Sequence, residues 1–195
     1  MSASFIRAFF AIDLPVKYKQ QLAVAMTALR SHLQTVFKLS DDWRWVKQQN
    51  LHLTLHFLGP VKEDEVVKLL QRVRMELAGM KSFYLHLGPL EWFPSSDRPQ
   101  VLSLKAEPQH FLAELALALR KVTAVLNDKI EAQPFRGHVT LARTEGLPQL
   151  NPRVLSSFSW PDLPEIFINE IIFFRSDSQS RGSVYTRLAS IQLEI

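Results

Sequence analysis

HLTLHFLG, at His52–Gly59, and HVTLAR, at His138–Arg143, share the pattern His-x-Thr-Leu. Position 138 follows position 52 by 86 residues. With six histidines and seven threonines, random placement in 195 residues gives roughly 0.2 occurrences of His-x-Thr. Two copies, both flanked by apolar residues, indicate that the repetition has a structural or chemical cause.

Alternation of apolar and polar residues predicts that each copy lies on a β-strand, whose side chains point alternately to its two faces. The residues of the first copy predicted to enter the core are Leu51, Leu53, Leu55 and Phe57. On the other face, His52, Thr54 and His56 are expected to project together. His138 and Thr140 do the same in the second copy. If the two strands are neighbours, two imidazoles and two hydroxyls converge on one ligand.

This set of groups suits cleavage of a phosphodiester. Attack by water needs a base for the water's proton and an acid for the departing oxygen, and histidine can serve as either near neutral pH. Hydroxyl groups can donate hydrogen bonds to the non-bridging oxygens. We therefore predict His52 and His138 as catalytic, Thr54 and Thr140 as substrate-binding, and no metal or other cofactor. His56 has only Ala142 as its counterpart, which predicts a site wall or surface residue.

Outside the motifs, hydrophobic periodicity predicts three amphipathic helices. They run from after Pro15 to Val36, from about Val61 to Leu77, and from about Gln109 to Leu126. The predicted strands are Arg7–Leu14, Asp42–Val46, Asn50–Leu58, Ser82–Glu91, Val101–Lys105, His138–Arg143, Ile166–Phe174 and Val184–Leu193. Interleaved strands and helices indicate an α+β fold, with the pairing order left open. Turn-forming residues predict loops at Phe93–Pro99, Gly146–Pro152 and Ser176–Ser183, rimming a site.

Composition narrows the class of protein. The 195 residues are 47% hydrophobic and 22% charged, as in a soluble globular domain. The absence of cysteine excludes disulfides, a thiolate nucleophile and a zinc site with sulfur ligands. A net charge of +4 and a pI near 9.5 weakly favour an anionic partner. No stretch has the length of a membrane span or the pattern of a signal peptide, so a cytoplasmic location is expected.

With these motifs the sequence resembles the 2H phosphoesterase superfamily, and within it the RNA 2′,3′-cyclic phosphodiesterases, also called 2′-5′ RNA ligases. FFAIDLP at Phe9–Pro15 and the closing Tyr185-x-x-Leu188 also match that family's pattern. The resemblance implies a bilobed α+β fold with pseudo-twofold symmetry, in which antiparallel-rich sheets flanked by helices surround a central cleft. Residues 1–195 are expected to form a single bilobed catalytic domain.

The resemblance also implies the reaction. A 2′,3′-cyclic phosphate is opened to a 2′-phosphate, with His52 as proton donor and His138 as proton acceptor. Used in reverse, the same two histidines would join a 5′-hydroxyl to a cyclic phosphate, which is a 2′-5′ RNA ligation without ATP. The expected partners are RNA ends or nucleotides bearing a 2′,3′-cyclic phosphate, with no membrane and no obligate protein partner.

Two further residues are candidates for substrate binding. Arg143 ends the second motif, but strict alternation points it away from the face of His138 unless the strand twists or bulges. Tyr185 is either a residue that binds base or phosphate, or a buried strand tyrosine.

The sequence departs from the family's pattern at three positions. Gly137 stands where proline is common, and Gln100 and Ser103 stand where arginine and tryptophan are frequent. These positions are peripheral to the reacting phosphorus. The departures therefore bear on recognition of the nucleoside and leave the chemistry intact.

Three alternatives stay open at this point. A metal site could use His52 and His56, although HLTLH lacks the usual carboxylate ligand. A noncatalytic single-stranded RNA-binding module could stack bases on exposed tryptophans, for which the candidates are Trp43, Trp45 and Trp92. A cyclic phosphodiesterase could also act on a small nucleotide instead of RNA.

Overall fold

The computed structural model describes residues 4–37, 43–95, 100–124, 134–143, 153–180 and 182–195. Within these residues the strands are β1 (Phe5–Asp13), β2 (Arg44–Trp45), β3 (His52–Lys62), β4 (Phe83–Phe93), β5 (Val101–Glu107), β6 (His138–Arg143), β7 (Ile166–Ile168), β8 (Glu170–Gln179) and β9 (Gly182–Gln192). The helices are α1 (Val16–Phe37), α2 (Val66–Glu76), α3 (Gln109–Thr123) and α4 (Arg153–Ser156). Short 3₁₀ turns at Gln48–Asn50 and Glu63–Glu65 precede β3 and α2.

The strands form one sheet in the order β7-β4-β5-β6-β3-β1-β8-β9, and β2 pairs with β6 beside this path. All strand pairs in this sheet are antiparallel. The order is symmetric about the junction of β6 and β3: β5 corresponds to β1, and β4 to β8. At the junction the register contains a single pair, Leu53 with Val139. The two halves of the sheet therefore meet at their motif strands and diverge from there.

The helices cover one face of the sheet, called here the helix face. Leu53 and Val139 are fully buried there, in one cluster with Leu22 of α1, Val73 of α2 and Leu119 of α3. Burial of each such side chain contributes about 1.5–3 kcal/mol to stability. This core fixes the two motif strands and leaves the opposite face of the sheet open for polar groups.

The predicted helices and most predicted strands are present, with shifted ends. The segment Ile166–Phe174 divides into β7 and β8, and the stretch Ser176–Ser183 is largely a continuation of β8 and β9 rather than a loop. α3 ends at Thr123. The predicted loop Gly146–Pro152 and most of Phe93–Pro99 lie outside the described residues, as do Asp42 and Leu126.

None of the described helices has the length and apolar character needed to cross a membrane. The cytoplasmic location stays a prediction.

Candidate active site

The two His-x-Thr-Leu motifs lie on neighbouring strands at the centre of the sheet. β3 and β6 pair at Leu53 and Val139, whose side chains enter the core. The flanking residues point to the opposite face, because side chains alternate along a strand. They are His52, Thr54, His138 and Thr140, and the face that carries them is called here the motif face. Antiparallel geometry directs each histidine towards the threonine of the other motif.

Each motif strand contains a bulge at the leucine that follows the threonine. The register of β3 with β1 skips Leu55, and the register of β6 with β5 skips Leu141. A bulge sets two residues of one strand opposite one of its partner, so the facing pattern beyond it is reversed. The two motifs thus share sequence, strand position and irregularity, as pseudo-twofold symmetry requires.

Arg143 lies on the motif face because of the second bulge. Beyond it, Ala142 is opposite the core residue Leu102, and Arg143 is opposite Val101. This returns Arg143 to the side of His138, from which strict alternation would have excluded it. Its positive charge lowers the pKa of both motif histidines. The exposed guanidinium is therefore within electrostatic range of both histidines.

The first bulge removes His56 from the site. Beyond Leu55, His56 turns to the helix face, where its Nε2 is 2.8 Å from Oγ1 of Thr123 on α3. The expectation that His56 shares the face of His52 is wrong, because alternation stops at the bulge. A metal site using both histidines loses its geometric basis. Phe57, expected in the core, takes the outward position instead and is 57% exposed.

Both motif histidines are oriented by the backbone two residues earlier. Nδ1 of His52 is 2.6 Å from the carbonyl oxygen of Asn50, and Nδ1 of His138 is 3.0 Å from that of Arg136. A carbonyl can only accept, so Nδ1 donates and carries the hydrogen in each ring. Nε2 is left as the nitrogen available for proton transfer. In His52 it lies 3.0 Å from Oγ1 of Thr54, whose hydroxyl donates to it.

Aromatic rings surround His52. The ring centroids of Phe9 and Tyr185 are each 5.1 Å from the imidazole, and that of Phe174 is 6.4 Å away. Tyr185 is half-buried and meets the imidazole edge-on. The predicted substrate-binding tyrosine therefore lies beside the first motif histidine.

A cavity of about 160 Å³ opens beside His52. Its lining residues are Asp13, Lys19, Gln49, Asn50, His52, Phe174, Tyr185 and Arg187. Nζ of Lys19 is 2.6 Å from Oδ1 of Asp13, and Arg187 is 3.8 Å from Oδ2 of the same carboxylate. A larger cavity of about 780 Å³, between β4 and residues 155–162, contains neither motif histidine. We place the candidate site at the smaller cavity because His52 lines it.

Phe93 and Arg136 form the wall next to His138. The Phe93 ring stacks on the imidazole with centroids 4.0 Å apart and planes 23° apart. The guanidinium of Arg136 lies 4.4 Å above the same phenyl ring and 3.6 Å from a carboxylate oxygen of Glu91. Phe93 on β4 thus occupies the place that Phe174 on β8 has beside His52. The sequence placed Phe93 at the start of a loop rimming a site but did not predict its contact with His138, because that contact depends on three strands lying side by side.

Comparison with known proteins decides the family. Residues 18–179 match the family described as the 2′-5′ RNA ligase superfamily. The chain belongs to this superfamily. A Thermus thermophilus protein named RNA 2′,3′-cyclic phosphodiesterase is 32% identical over 195 residues, covering 96% of this chain and 90% of the relative. A Thermotoga maritima protein of the same name is 24% identical over 189 residues, covering 97% and 96%.

Solved structures agree with this membership. A crystal structure of a Thermus thermophilus protein superposes with a TM-score of 0.76 at 30% identity, covering 96% of this chain and 98% of that one. E. coli LigT in complex with 3′-AMP gives a TM-score of 0.72 at 27% identity, covering 97% and 99%. The predicted family and the α+β 2H phosphoesterase fold are confirmed.

In this superfamily member, burial is the largest influence on the pKa of His52. It lowers the pKa of His52 to about 4, against the hydrogen bond to the Asn50 carbonyl, which raises it. The ammonium of Lys19 lowers the pKa further, and the carboxylate of Asp13 raises it. The imidazole is therefore neutral at pH 7 and holds a lone pair on Nε2.

His138 is affected in the same direction. Burial lowers its pKa first, the hydrogen bond to the Arg136 carbonyl opposes this, and the guanidinium groups of Arg136 and Arg143 lower it further. A neutral imidazole at pH 7 is the form that a general base requires. Among the residues that the structure describes, no carboxylate contributes to the pKa of His138, whereas Asp13 favours the charged form of His52.

The lowered pKa of His52 predicts loss of stability in acid. The unfolded chain binds a proton near pH 6.5, but the folded chain binds it only near pH 4, so this stabilisation is present above pH 6.5 and is lost as pH falls towards 4. The shift corresponds to at most about 3 kcal/mol. Urea unfolding of wild type and His52→Gln at pH 7 and pH 4 checks this. Between pH 7 and pH 4 the wild type is expected to lose more free energy of unfolding than the variant. Equal losses would contradict the lowered pKa of His52.

His56→Ala is expected to lower the free energy of unfolding by about 1 kcal/mol while leaving turnover unchanged. The variant removes the hydrogen bond to Thr123, whose hydroxyl keeps its own bond to the Leu119 carbonyl at 2.9 Å. Urea denaturation and steady-state kinetics of the same preparation measure the two effects. A large loss of turnover in a stably folded variant would show that His56 acts on the motif face.

The tryptophans expected to be exposed are not. Trp43 and Trp92 are only 7% and 6% exposed and pack edge to face in a core cluster with Leu102. Trp45, half-buried, stacks on Trp43 at 5.8 Å. Stacking of RNA bases on Trp43 or Trp92, as the noncatalytic alternative supposed, would require the core to open.

The three departures from the family's pattern lie next to β6, the second motif strand. The N–H of Gly137 donates to the side-chain oxygen of Gln109 at 2.9 Å, a bond that proline could not make. Ser103 is buried opposite Thr140. The N–H of Gln100 donates to the Phe93 carbonyl at 2.9 Å. Gly137 thus fixes the strand leading to His138 through α3.

Proposed function

We propose that this chain is a cyclic phosphodiesterase that opens RNA 2′,3′-cyclic phosphates to 2′-phosphates. The observation that carries the proposal is the pair of motif histidines, each oriented through Nδ1 by a backbone carbonyl and each flanked by a threonine on the same face. The names of the relatives from Thermus thermophilus and Thermotoga maritima support the same reaction for this chain.

In the proposed mechanism, water attacks the phosphorus opposite the O3′ atom. Nε2 of His138 takes the water's proton as the new P–O bond forms. The bond from phosphorus to O3′ breaks, and protonated His52 gives its Nε2 proton to O3′, which leaves a 2′-phosphate and a free 3′-hydroxyl. The hydroxyls of Thr54 and Thr140, with Arg143, stabilise the charge on the non-bridging oxygens. None of these steps uses a metal ion.

His52 must be protonated to act as the acid. Burial opposes this, since it lowers the pKa of His52 to about 4. An anionic phosphate beside the imidazole favours the charged form and raises its pKa. Asp13 acts in the same direction. We propose that the substrate's own charge brings His52 into its donor state, in which Thr54 is released from Nε2 to donate to phosphate.

The same groups would also join two RNA ends. A 5′-hydroxyl would take the place of the attacking water and give its proton to His138, and O3′ would again leave with the proton of His52, which forms a 2′-5′ bond without ATP. Both halves of the sheet contribute to these steps. We therefore propose that residues 1–195 act as one bilobed catalytic unit, with RNA ends or cyclic nucleotides as its partners.

The test is to incubate the protein, in the presence of a chelator, with an oligoribonucleotide ending in a 2′,3′-cyclic phosphate. A 2′-phosphate product is expected, because O3′ is the leaving atom. A 3′-phosphate product would contradict the assignment of the leaving oxygen. RNA binding measured by fluorescence anisotropy, with no turnover, would favour the noncatalytic RNA-binding alternative.

A further inference from the structure

A row of outward-facing residues continues along β1 and β3 beyond the motif residues. The outward pairs, in order of distance from Thr54, are Phe9 with Phe57, Arg7 with Pro60, and Phe5 with Lys62. The residues between them, such as Ile6 and Val61, are buried in the core. Gly59 allows this pattern, since its φ of 72° at the second irregularity of β3 is a conformation that favours glycine.

Two phenylalanines in this row are left open to solvent. Phe57 is 57% exposed and Phe5 is 55% exposed, although both lie within strands. The Phe57 ring centroid is 5.4 Å from that of Phe9, which is itself 5.1 Å from the His52 ring. The exposed aromatic surface is therefore continuous with the candidate active site. Exposed apolar surface joined to a site indicates a binding role.

Cationic groups alternate with these rings. Arg7 is exposed between Phe5 and Phe57, and it makes no ion pair with any residue that the structure describes. Lys62 lies 4.0 Å from Glu65, an exposed pair that contributes little. Outward positions on one strand are about 7 Å apart. Rings and cations alternating along a groove are how proteins bind single-stranded nucleic acid.

Pseudo-twofold symmetry allows the β1/β3 side of the site to be compared with the β5/β6 side. Phe57 and Arg143 occupy equal positions, three residues after Thr54 and Thr140. Beyond Arg143 the described residues contain no further pair of β5 with β6, whereas β1 and β3 continue for two more outward pairs. Within the described residues, the extended surface thus lies on the Phe57 side alone.

We propose that Phe5, Arg7 and Phe57 bind the nucleotides immediately 5′ of the terminal cyclic phosphate, with bases stacked on the two rings and the intervening phosphate on Arg7. The inference rests on the proposed function and names its substrate as an oligoribonucleotide end rather than a free mononucleotide. The chemistry is consistent, because a 2′,3′-cyclic phosphate ends the chain and all remaining RNA lies on its 5′ side.

The experiment compares kcat/KM for an oligoribonucleotide ending in a 2′,3′-cyclic phosphate with kcat/KM for the mononucleotide 2′,3′-cyclic phosphate. Phe57→Ala is expected to lower the value for the oligonucleotide by about 5- to 100-fold, the effect of one lost stacking contact. Its value for the mononucleotide is expected to stay within about twofold, and Phe57→Trp is expected to restore the oligonucleotide value. Arg7→Ala is expected to reduce the slope of log kcat/KM against log salt by about 0.7.

Tyr84→Ala is the matched control, since Tyr84 is 59% exposed on β4 and packs against Phe167. It is expected to change neither substrate's kinetics. Equal losses on both substrates in Phe57→Ala, or a wild type that does not prefer the oligonucleotide, would overturn the inference and favour a small-nucleotide substrate. Failure of the proposed function is distinguishable, because the wild type would then hydrolyse neither substrate.

Discussion

Replacement of either His52 or His138 by alanine is expected to lower kcat for opening a terminal 2′,3′-cyclic phosphate by about 10²- to 10⁴-fold. His138→Ala removes the base for the attacking water, and His52→Ala removes the acid for the departing O3′. The double variant is expected to lose little more than the slower single variant, because the two groups act in one transition state. Single-turnover kinetics with chelator present measure the three rates.

The control for both is His56→Ala. His56 is on the same strand as His52 but on the helix face, bonded to Thr123. The His56→Ala variant therefore removes an imidazole from the same strand and leaves the motif face unchanged. A folded His138→Ala that turns over at the wild-type rate would contradict the assignment of the base.

The second large effect is expected for Arg143→Ala, with kcat lower by about 10²- to 10³-fold, the usual loss when a donor to a developing oxyanion is removed. Arg143 lies on the motif face, and its charge lowers the pKa of both motif histidines. Arg143→Lys keeps the charge but not the planar fork of donors, so an intermediate rate is expected. Steady-state kinetics on the same cyclic phosphate substrate measure both.

Arg175→Ala provides the matched control, because Arg175 is on β8 opposite Ala8, faces away from the motif face and pairs with Asp177 at 2.8 Å. It is expected to leave kcat unchanged. If Arg143→Ala were as active as Arg175→Ala, the proposed stabilisation of the phosphate charge by Arg143 would be wrong.

The motif strands could be predicted from the sequence because alternation is a local property. His52, Thr54, His138 and Thr140 follow directly from it, and the structure confirms that they share one face. The bulges at Leu55 and Leu141 could not be predicted, since register is set by the partner strand. For this reason His56 and Phe57 exchange their expected faces, and Arg143 joins the site.

Like the bulges, contacts between distant segments could not be predicted from the sequence. Phe93 reaches His138 only because β4, β5 and β6 are neighbours. Trp43 and Trp92 are buried because α1 and β5 close over them, through residues such as Leu29 and Leu102. The helices were predicted better, because their apolar periodicity is strong along the chain.

The most direct test of the central claim follows the cyclic phosphate itself by ³¹P NMR, in chelator, with wild type, His52→Ala, His138→Ala and His56→Ala. The expected result is conversion to a 2′-phosphate by wild type and His56→Ala, and a rate below about one hundredth of this in the other two variants. Turnover near the wild-type rate in folded His52→Ala and His138→Ala would contradict two-histidine acid/base catalysis.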